Sequence, residues 1–194
     1  MSLRLTIEGV PSAERPQIEN VNTFWFDDCS AKQRFQKNEE FDALILSRFG
    51  AQVERGLQDK LSNWELSPAG LLALIILVDQ FTRNIYRSTP KMVSGDLQAL
   101  RYSRILVKQG ALARATEGEA QFALMPFMHS EELSVQREGI PLFEKHTSPQ
   151  VVNFAIRHLK IIEKFGRFPH RNAWLGRTSR EPELAFLRTK GSSF

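Results

Sequence analysis

Apolar residues recur along this chain with the spacing of helices, and no segment alternates apolar and polar residues over the length of a strand. The helical segments are separated by short polar stretches and by glycines typical of helix ends, such as Gly50, Gly110 and Gly166. The pattern predicts an all-α fold of about eight helices, in which short loops make successive helices antiparallel hairpins. We expect one domain, with residues 1–13 as an irregular lead-in and residues 14–190 as the helical core.

The most apolar segment follows Ser67 and Pro68, a pair typical of a helix start because serine caps the first turn and proline fits the first helical position. Every residue from 71 to 78 is apolar. A helix that is apolar on every side must be surrounded by other helices, so we place this one at the centre of the fold. The apolar run over residues 69–78 is too short to span a bilayer, which favours a buried helix.

Helical spacing and capping residues place the other helices. One stripe of large apolar residues predicts a helix that ends at Gly50; its members are Phe35, Phe41, Leu44, Ile45 and Phe49. Further helices are predicted over residues 14–26, 94–108, 117–127, from 130 onward, 149–165 and 180–190.

The composition fits one folded core. The chain has 194 residues, of which 42% are hydrophobic and 25% charged, which argues against wholesale disorder. The net charge is +4, and residues 151–194 hold nine Lys and Arg against three Glu, so the basic excess lies in that part. Such a segment suits an anionic small ligand or an acidic partner, or it is a solvated basic face. Runs of Lys or Arg interleaved with aromatic residues are missing, which disfavours nucleic acid.

Several classes of site lack their sequence signatures. Cys29 is the one cysteine, so the chain forms no internal disulfide and builds no zinc site from cysteine, which fits a reducing cytoplasm. Residues 1–8 lack the apolar core of a secretory signal. The chain contains no glycine-rich phosphate loop, no His-Glu-x-x-His and no Gly-x-Ser-x-Gly. We therefore expect a cytoplasmic protein with no cofactor and no membrane contact.

The first candidate site is the polar end of the central helix. Asp79, Arg83 and Arg87 are spaced at i, i+4 and i+8, so they share one helix face. Ionised side chains on a buried helix need partners or a wet cavity, because an unpaired buried charge is very costly. The alternative is a structural Asp–Arg pair that ties helices together.

The second candidate site is His129 with the three residues after it. A histidine before a helix start, followed by Glu131 and Glu132, is suited to bind a metal or to transfer a proton. The alternative is a helix N-terminus in which Ser130 is the N-cap and the two carboxylates complement the helix dipole. That alternative leaves His129 unexplained. The His-x-Glu spacing of zinc deaminases also needs a Pro-Cys-x-x-Cys, which this chain lacks.

The third candidate site is the loop over residues 166–177. It combines the cations Arg167, His170, Arg171 and Arg177 with the backbone-restricting residues Gly166, Pro169 and Gly176 and the apolar anchors Phe165, Phe168 and Trp174. Arginine forks suit carboxylate or phosphate groups, and rigid loops commonly carry binding sites. The alternative is a helix-ending loop whose cations are solvated. His158 lies on the helix that leads into this loop.

Five motifs in this order resemble one known family. They are Phe24-Trp25-Phe26, Phe41-Asp42, Asp79-Gln80-Phe81 with Arg83-Asn84, His129-Ser130-Glu131-Glu132, and Phe165-Gly166-Arg167-Phe168-Pro169-His170-Arg171-Asn172 with Leu175-Gly176-Arg177. Over about residues 20–190 the chain resembles the bacterial family called domain of unknown function 924. The resemblance implies an all-α fold similar to tetratricopeptide-repeat proteins, and it implies no established activity. The family pattern has proline where this chain has Thr82, so we expect a smoother helix here.

The favoured hypothesis is that these polar clusters converge in one pocket for a small ligand that bears a carboxylate or phosphate group. The predicted contacts are Asp79, Arg83, His129, Glu132, His158, Arg167, His170, Arg171 and Arg177. His129, Glu132 and His170 are the candidates for acid–base catalysis, and whether the protein is an enzyme stays open.

Two alternatives remain. Stacked helical hairpins often bind a protein partner in a groove, in which case the polar clusters are structural struts. A metal site from Asp79, His129, Glu132 and His158 ranks last because no spacing demands it, and we expect no metal. The oligomeric state stays open.

Overall fold

The computed structural model describes residues 5–192, and within that range every regular element is a helix. The α-helices are α1 Arg15–Thr23, α2 Ala31–Phe35, α3 Glu39–Leu57, α4 Pro68–Ile75, α5 Thr82–Ile85, α6 Asp96–Lys108, α7 Glu117–His129, α8 Leu133–His146, α9 Pro149–Phe165 and α10 Glu181–Leu187. Two segments are π-helical, Phe24–Asp28 and Ile76–Phe81, and short 3-10 helices cover Ser62–Leu66, Pro90–Val93, Ala111–Ala113 and Pro169–Arg171. The all-α prediction is confirmed.

The central helix is one continuous rod formed by α4, the π-helical segment and α5. It begins where the Ser67 hydroxyl accepts a hydrogen bond from the Gly70 backbone N–H at 3.0 Å. Every residue from 69 to 82 is buried, because α1, α3, α6 and α7 pack around the rod. By length and composition alone the full Pro68–Ile85 helix could cross a membrane, because it extends beyond the apolar run over residues 69–78. It is 83% buried inside the fold, in agreement with the buried helix expected from the sequence.

The middle of this rod is wider than an α-helix. The π-helical segment Ile76–Phe81 lies immediately before Thr82, whose hydroxyl donates to the Val78 carbonyl at 2.9 Å. The expected smooth helix at Thr82 is therefore not observed. Single-turn π segments are frequent at functional sites, and this one carries Asp79.

The apolar stripe near residues 35–57 belongs to two helices. The Asn38 side chain accepts a hydrogen bond from the Phe41 backbone N–H at 2.9 Å, so a new helix, α3, starts there. Phe35 lies on α2 instead and is 55% exposed, and Leu44 lies on the outer side of α3. The prediction that Gly50 ends the helix is wrong, because α3 continues to Leu57. The buried stripe of α3 consists of Phe41, Ile45, Phe49 and Val53.

Three successive helices, α7, α8 and α9, form the second half of the fold. Only residues 130–132 and 147–148 connect them, and neighbouring members pack together, so they alternate in direction. Helix α9 ends at Gly166, which has the left-handed φ of 70° that glycine adopts without strain. A small apolar cluster follows and fixes the next loop to α9; it contains Ile161, Ile162, Phe165 and Phe168, with Leu133 and Phe186 against it.

We predict that Gly70→Ala lowers the free energy of unfolding by about 3 kcal/mol, because a Cβ at this position would lie 2.0 Å from the Trp64 carbonyl oxygen. Gly118→Ala is the matched control: Gly118 lies on α7, and a Cβ there has no atom within 4 Å. The control is expected to raise the free energy of unfolding by up to about 1 kcal/mol through helix propensity. Urea unfolding of both variants tests this, and equal effects would contradict the close approach.

Candidate functional site

The centre of the candidate site is Asp79, which is completely buried on the π-helical segment. Its Oδ1 atom lies 2.8 Å from Nδ1 of His129, at the end of α7, and 2.9 Å from Nη1 of Arg83. The Gln80 side-chain amide donates to Oδ2, and Nη1 of Arg83 also donates to the Asp79 carbonyl at 2.8 Å. The i, i+4 pair predicted from the sequence is therefore formed, and His129 joins it from another helix.

The protonation state of this centre follows from its charges. Burial opposes ionisation of Asp79, but the Arg83 guanidinium, followed by His129, lowers the pKa of the Asp79 carboxyl to about 2. Burial, together with the charge of Arg83, lowers the pKa of His129 below its ordinary value. Asp79 is thus ionised and His129 neutral at neutral pH. The His129 Nδ1–H donates to Asp79, which leaves Nε2 of the ring as an acceptor.

Two further elements close on this centre. Asp96, the first residue of α6, places Oδ1 2.9 Å from Nη2 of Arg83. Its Oδ2 lies 3.6 Å from Nη1 of Arg171, in the loop after α9. Arg171 donates from Nη2 to the His129 carbonyl at 3.0 Å, and its guanidinium lies over the Phe168 ring at 4.5 Å. We call Asp79, Arg83, Asp96, His129 and Arg171 the Asp79 cluster.

The Asp79 cluster is balanced in charge but incomplete in hydrogen bonds. Two carboxylates face two guanidiniums around a neutral imidazole. Nevertheless, three of its buried polar atoms lack an aligned hydrogen-bond partner among residues 5–192: Nη2 of Arg83, Oδ1 of Asp96 and Nε of Arg171. Two of them, Nη2 of Arg83 and Oδ1 of Asp96, still lie 2.9 Å from each other as an ion pair. A buried polar atom without any partner costs about 1–3 kcal/mol. Burial raises the pKa of Asp96, while burial and the charge of Arg83 lower the pKa of Arg171 to about 10.

Two predicted arginines have carboxylate partners outside the Asp79 cluster. Arg177 forms a two-pronged ion pair with Glu131 at 2.7 and 3.0 Å, and Glu131 also accepts from the Phe168 backbone N–H at 2.8 Å. Arg167 forms a similar pair with the buried Glu183 of α10 at 2.7 and 2.8 Å. Arg167 and Arg177 were expected to contact a ligand in the pocket, but each guanidinium instead binds a carboxylate of the chain. These ion pairs fasten the loop.

The other predicted residues lie beside the Asp79 cluster or apart from it. The His158 ring centroid is 6.4 Å from that of His129, and its Nδ1 lies 2.7 Å from the Phe154 carbonyl. The His170 ring lies against Phe168, at 5.6 Å between centroids. Glu132 is exposed and stands outside the cluster.

Two further expectations from the sequence need correction. The N-cap of α8 is Glu132, not Ser130, and the Ser130 hydroxyl accepts from the Glu132 backbone N–H at 3.1 Å. Arg87 lies beyond the end of α5 and pairs with Asp42 instead of joining Asp79. Within residues 5–192 no group of three or more His, Cys, Asp or Glu side chains is placed to hold a metal ion, so the metal hypothesis has no ligand set there.

Sequence reasoning missed Asp96 and the roles of Glu131 and Glu183. Asp96 follows Gly95 in the first turn of a helix, where an acidic residue is ordinarily explained by the helix dipole. Its partners Arg83 and Arg171 are 13 and 75 residues away along the chain, and local sequence patterns do not reveal contacts at such separations. The acidic first turn of α6 was the one available signal.

We predict that the protein loses stability as the pH falls below about 6.5, because burial lowers the pKa of His129, of His158 to about 3 and of His170 to about 4. The unfolded chain binds these protons at higher pH than the folded protein does. The stabilisation is therefore fully present above the unfolded value of 6.5 and is lost as the pH falls towards the folded values.

The measurement is the free energy of urea unfolding between neutral pH and about pH 5, above the ordinary pKa values of Asp and Glu. The expected slope is up to about 1.4 kcal/mol per pH unit for each neutral histidine. His158→Asn should reduce this slope by the contribution of one histidine, which is up to about 1.4 kcal/mol per pH unit. A free energy that stays constant over this interval would contradict the prediction.

Comparisons with known proteins place the chain in a family. A family profile described as "Bacterial protein of unknown function (DUF924)" matches residues 21–191, a range that includes the whole Asp79 cluster. The solved structure of the protein of unknown function ATU0120 from Agrobacterium tumefaciens is similar, with 28% sequence identity and a TM-score of 0.86; the match covers 90% of this chain and 98% of that chain. No curated protein matches this chain. The chain therefore belongs to the bacterial DUF924 family of unknown function.

Proposed function

We propose that this protein binds a small anionic ligand at the Asp79 cluster and that His129 exchanges a proton or a hydrogen bond with it. The observation that carries the proposal is the His129–Asp79 pair. A buried, ionised carboxylate holds Nδ1–H of a neutral imidazole, which orients the ring and makes Nε2 a proton acceptor. The same carboxylate–imidazole arrangement serves general bases in unrelated enzymes.

The charges beside His129 favour an anion. Arg83 and Arg171 are largely buried, with 17% and 8% of their side chains exposed, and an anion held there escapes much of the screening of bulk water. A ligand that also carries a hydroxyl or amine would donate a hydrogen bond to Nε2 of His129. The proposal covers binding and proton transfer, in the cytoplasm, without naming a reaction.

A purely structural role explains less of this arrangement. Buried ion pairs are often no more stabilising than apolar residues of similar volume, so a group of five charged or polar residues is a costly strut. A strut would also be expected to use well-placed pairs, as Arg177 and Glu131 do with two contacts of 2.7 and 3.0 Å, whereas Asp96 meets Arg83 and Arg171 through one contact each, of 2.9 and 3.6 Å.

The alternative function, a scaffold for protein partners, has less support. Large exposed apolar side chains occur on six different elements; they are Phe35, Leu44, Leu46, Leu66, Leu97, Phe154 and Leu184. Such dispersed residues are normal on a soluble protein and do not point to one docking surface.

We predict that small anions shift the NMR signals of the His129 ring nitrogens, and the probes are acetate, glycolate and inorganic phosphate. His129→Asn should weaken binding of glycolate at least about tenfold, because the asparagine amide still donates near the Nδ1 position while Nε2, the acceptor for the glycolate hydroxyl, is lost. His146→Asn on α8 is the control, since its partly exposed ring lies at the far end of that helix.

Sodium chloride at equal ionic strength separates binding from general screening. A wild-type protein in which none of the three probes shifts His129 more than chloride does would contradict the proposed function. So would equal binding by wild type and a folded His129→Asn variant.

A further inference from the structure

We infer that Arg83 and Arg171 form a carboxylate subsite that Asp96 fills only in part, and that the carboxylate of a ligand replaces the side chain of Asp96 there. This inference rests on the proposed function and names the chemical class of the ligand. It also assigns a role to Asp96, which determines whether the two arginines are free to bind.

The first support is the poor fit of Asp96 compared with other carboxylates in the same protein. Glu131 and Glu183 each meet an arginine through two aligned hydrogen bonds of 2.7–3.0 Å. Asp96 instead has a single contact to each of two arginines, one of 2.9 Å to Arg83 and a longer one of 3.6 Å to Arg171. The guanidinium groups therefore retain binding capacity that a better placed carboxylate would use.

The second support is the set of unsatisfied atoms. Nη2 of Arg83, Nε of Arg171 and Oδ1 of Asp96 are buried and lack aligned partners among the described residues. Arg171 is only 7% exposed, and the Phe168 ring covers one face of its guanidinium. Nη2 of Arg83 and Oδ1 of Asp96 form an ion pair of 2.9 Å with each other, so Nε of Arg171 is the donor left for an anion, together with Nη1 of Arg171 at 3.6 Å from Asp96.

The third support is that the Asp96 side chain is partly exposed while its backbone is fixed. A Cβ on Gly95 would lie 2.3 Å from the Val78 carbonyl oxygen, so the start of α6 is packed directly on the central helix. The Asp96 side chain is 19% exposed, whereas Asp79 is fully buried. A change of side-chain rotamer is thus enough to move the Asp96 carboxylate towards solvent.

The charges select a carboxylate over a phosphate. Asp96 is faced by Asp79 and Arg83 from the central helix, by His129 from α7 and by Arg171 from the loop after α9. With Asp96 turned away, the two guanidiniums and Asp79 leave one positive charge uncompensated. A singly charged carboxylate restores neutrality, while a doubly charged phosphate would leave a net negative charge in a buried site.

The test is chemical rescue of Asp96→Ala by acetate, which is a close equivalent of the deleted side chain. Binding of acetate to the wild type and the variant is measured by NMR titration and by the shift of the thermal unfolding midpoint. Sodium chloride at equal ionic strength is the reference. We expect the variant to bind acetate at least about tenfold more tightly than the wild type, and phosphate less tightly than acetate.

Asp42→Ala is the matched control. Asp42 is also a largely buried carboxylate on an arginine, with 14% of its side chain exposed, but it meets Arg87 in two-pronged geometry and also accepts a hydrogen bond from the Asn84 side-chain amide at 2.8 Å. Its removal should produce a smaller gain in acetate affinity than removal of Asp96. An equal gain would show that any vacated carboxylate position is rescued, and it would overturn the inference.

Asp96→Asn is the second variant, since it keeps the shape of the side chain and removes its charge. A folded Asp96→Ala or Asp96→Asn protein that binds acetate no more tightly than the wild type would overturn the inference, and so would the failure of both variants to fold. Phosphate bound more tightly than acetate would refute the carboxylate class. Rescue by acetate without any shift of His129 would uphold the subsite and count against the proposed function of His129.

Discussion

The arrangement of the second half of this protein depends on one buried charge, the carboxylate of Asp79. An apolar helix at the centre of a fold offers nothing to stabilise an ionised side chain, so partners must come from elsewhere in the chain. Arg83 comes from the next turn of the same rod, and His129 from the end of α7. Arg83 then requires Asp96, and Arg171 lies against both Asp96 and the His129 carbonyl. Burial of one carboxylate thereby fixes where four segments meet.

The basic excess over residues 151–194 has a different meaning in the folded protein than in the sequence. Arg177 and Arg167 hold the carboxylates of Glu131 and Glu183, so much of the charge is used to fasten the loop after α9. The loop in turn places Arg171 over Phe168 and next to the Asp79 cluster. A segment that is basic by composition thus contributes one partly satisfied arginine to the candidate site.

The sequence predicts what depends on neighbours in the chain. The buried rod, its start at Ser67, the Asp79–Arg83 pair and the helix end at Gly166 all follow from local spacing and capping. The π-helical turn, the continuation of α3 through Gly50 and the contacts of Asp96 do not, because each is decided by packing against distant residues. The similarity to tetratricopeptide-repeat proteins stays a prediction.

A structural strut and a binding site are compatible descriptions of the Asp79 cluster, but they apply to different atoms. Asp79 has three side-chain partners and no exposure, so it positions its neighbours and meets no ligand. The other four members are partly exposed, and Asp96 is the most exposed of them. A rigid centre beside arginines that Asp96 meets through single contacts is the arrangement a preorganised site requires, because a ligand then gains hydrogen bonds without ordering the protein.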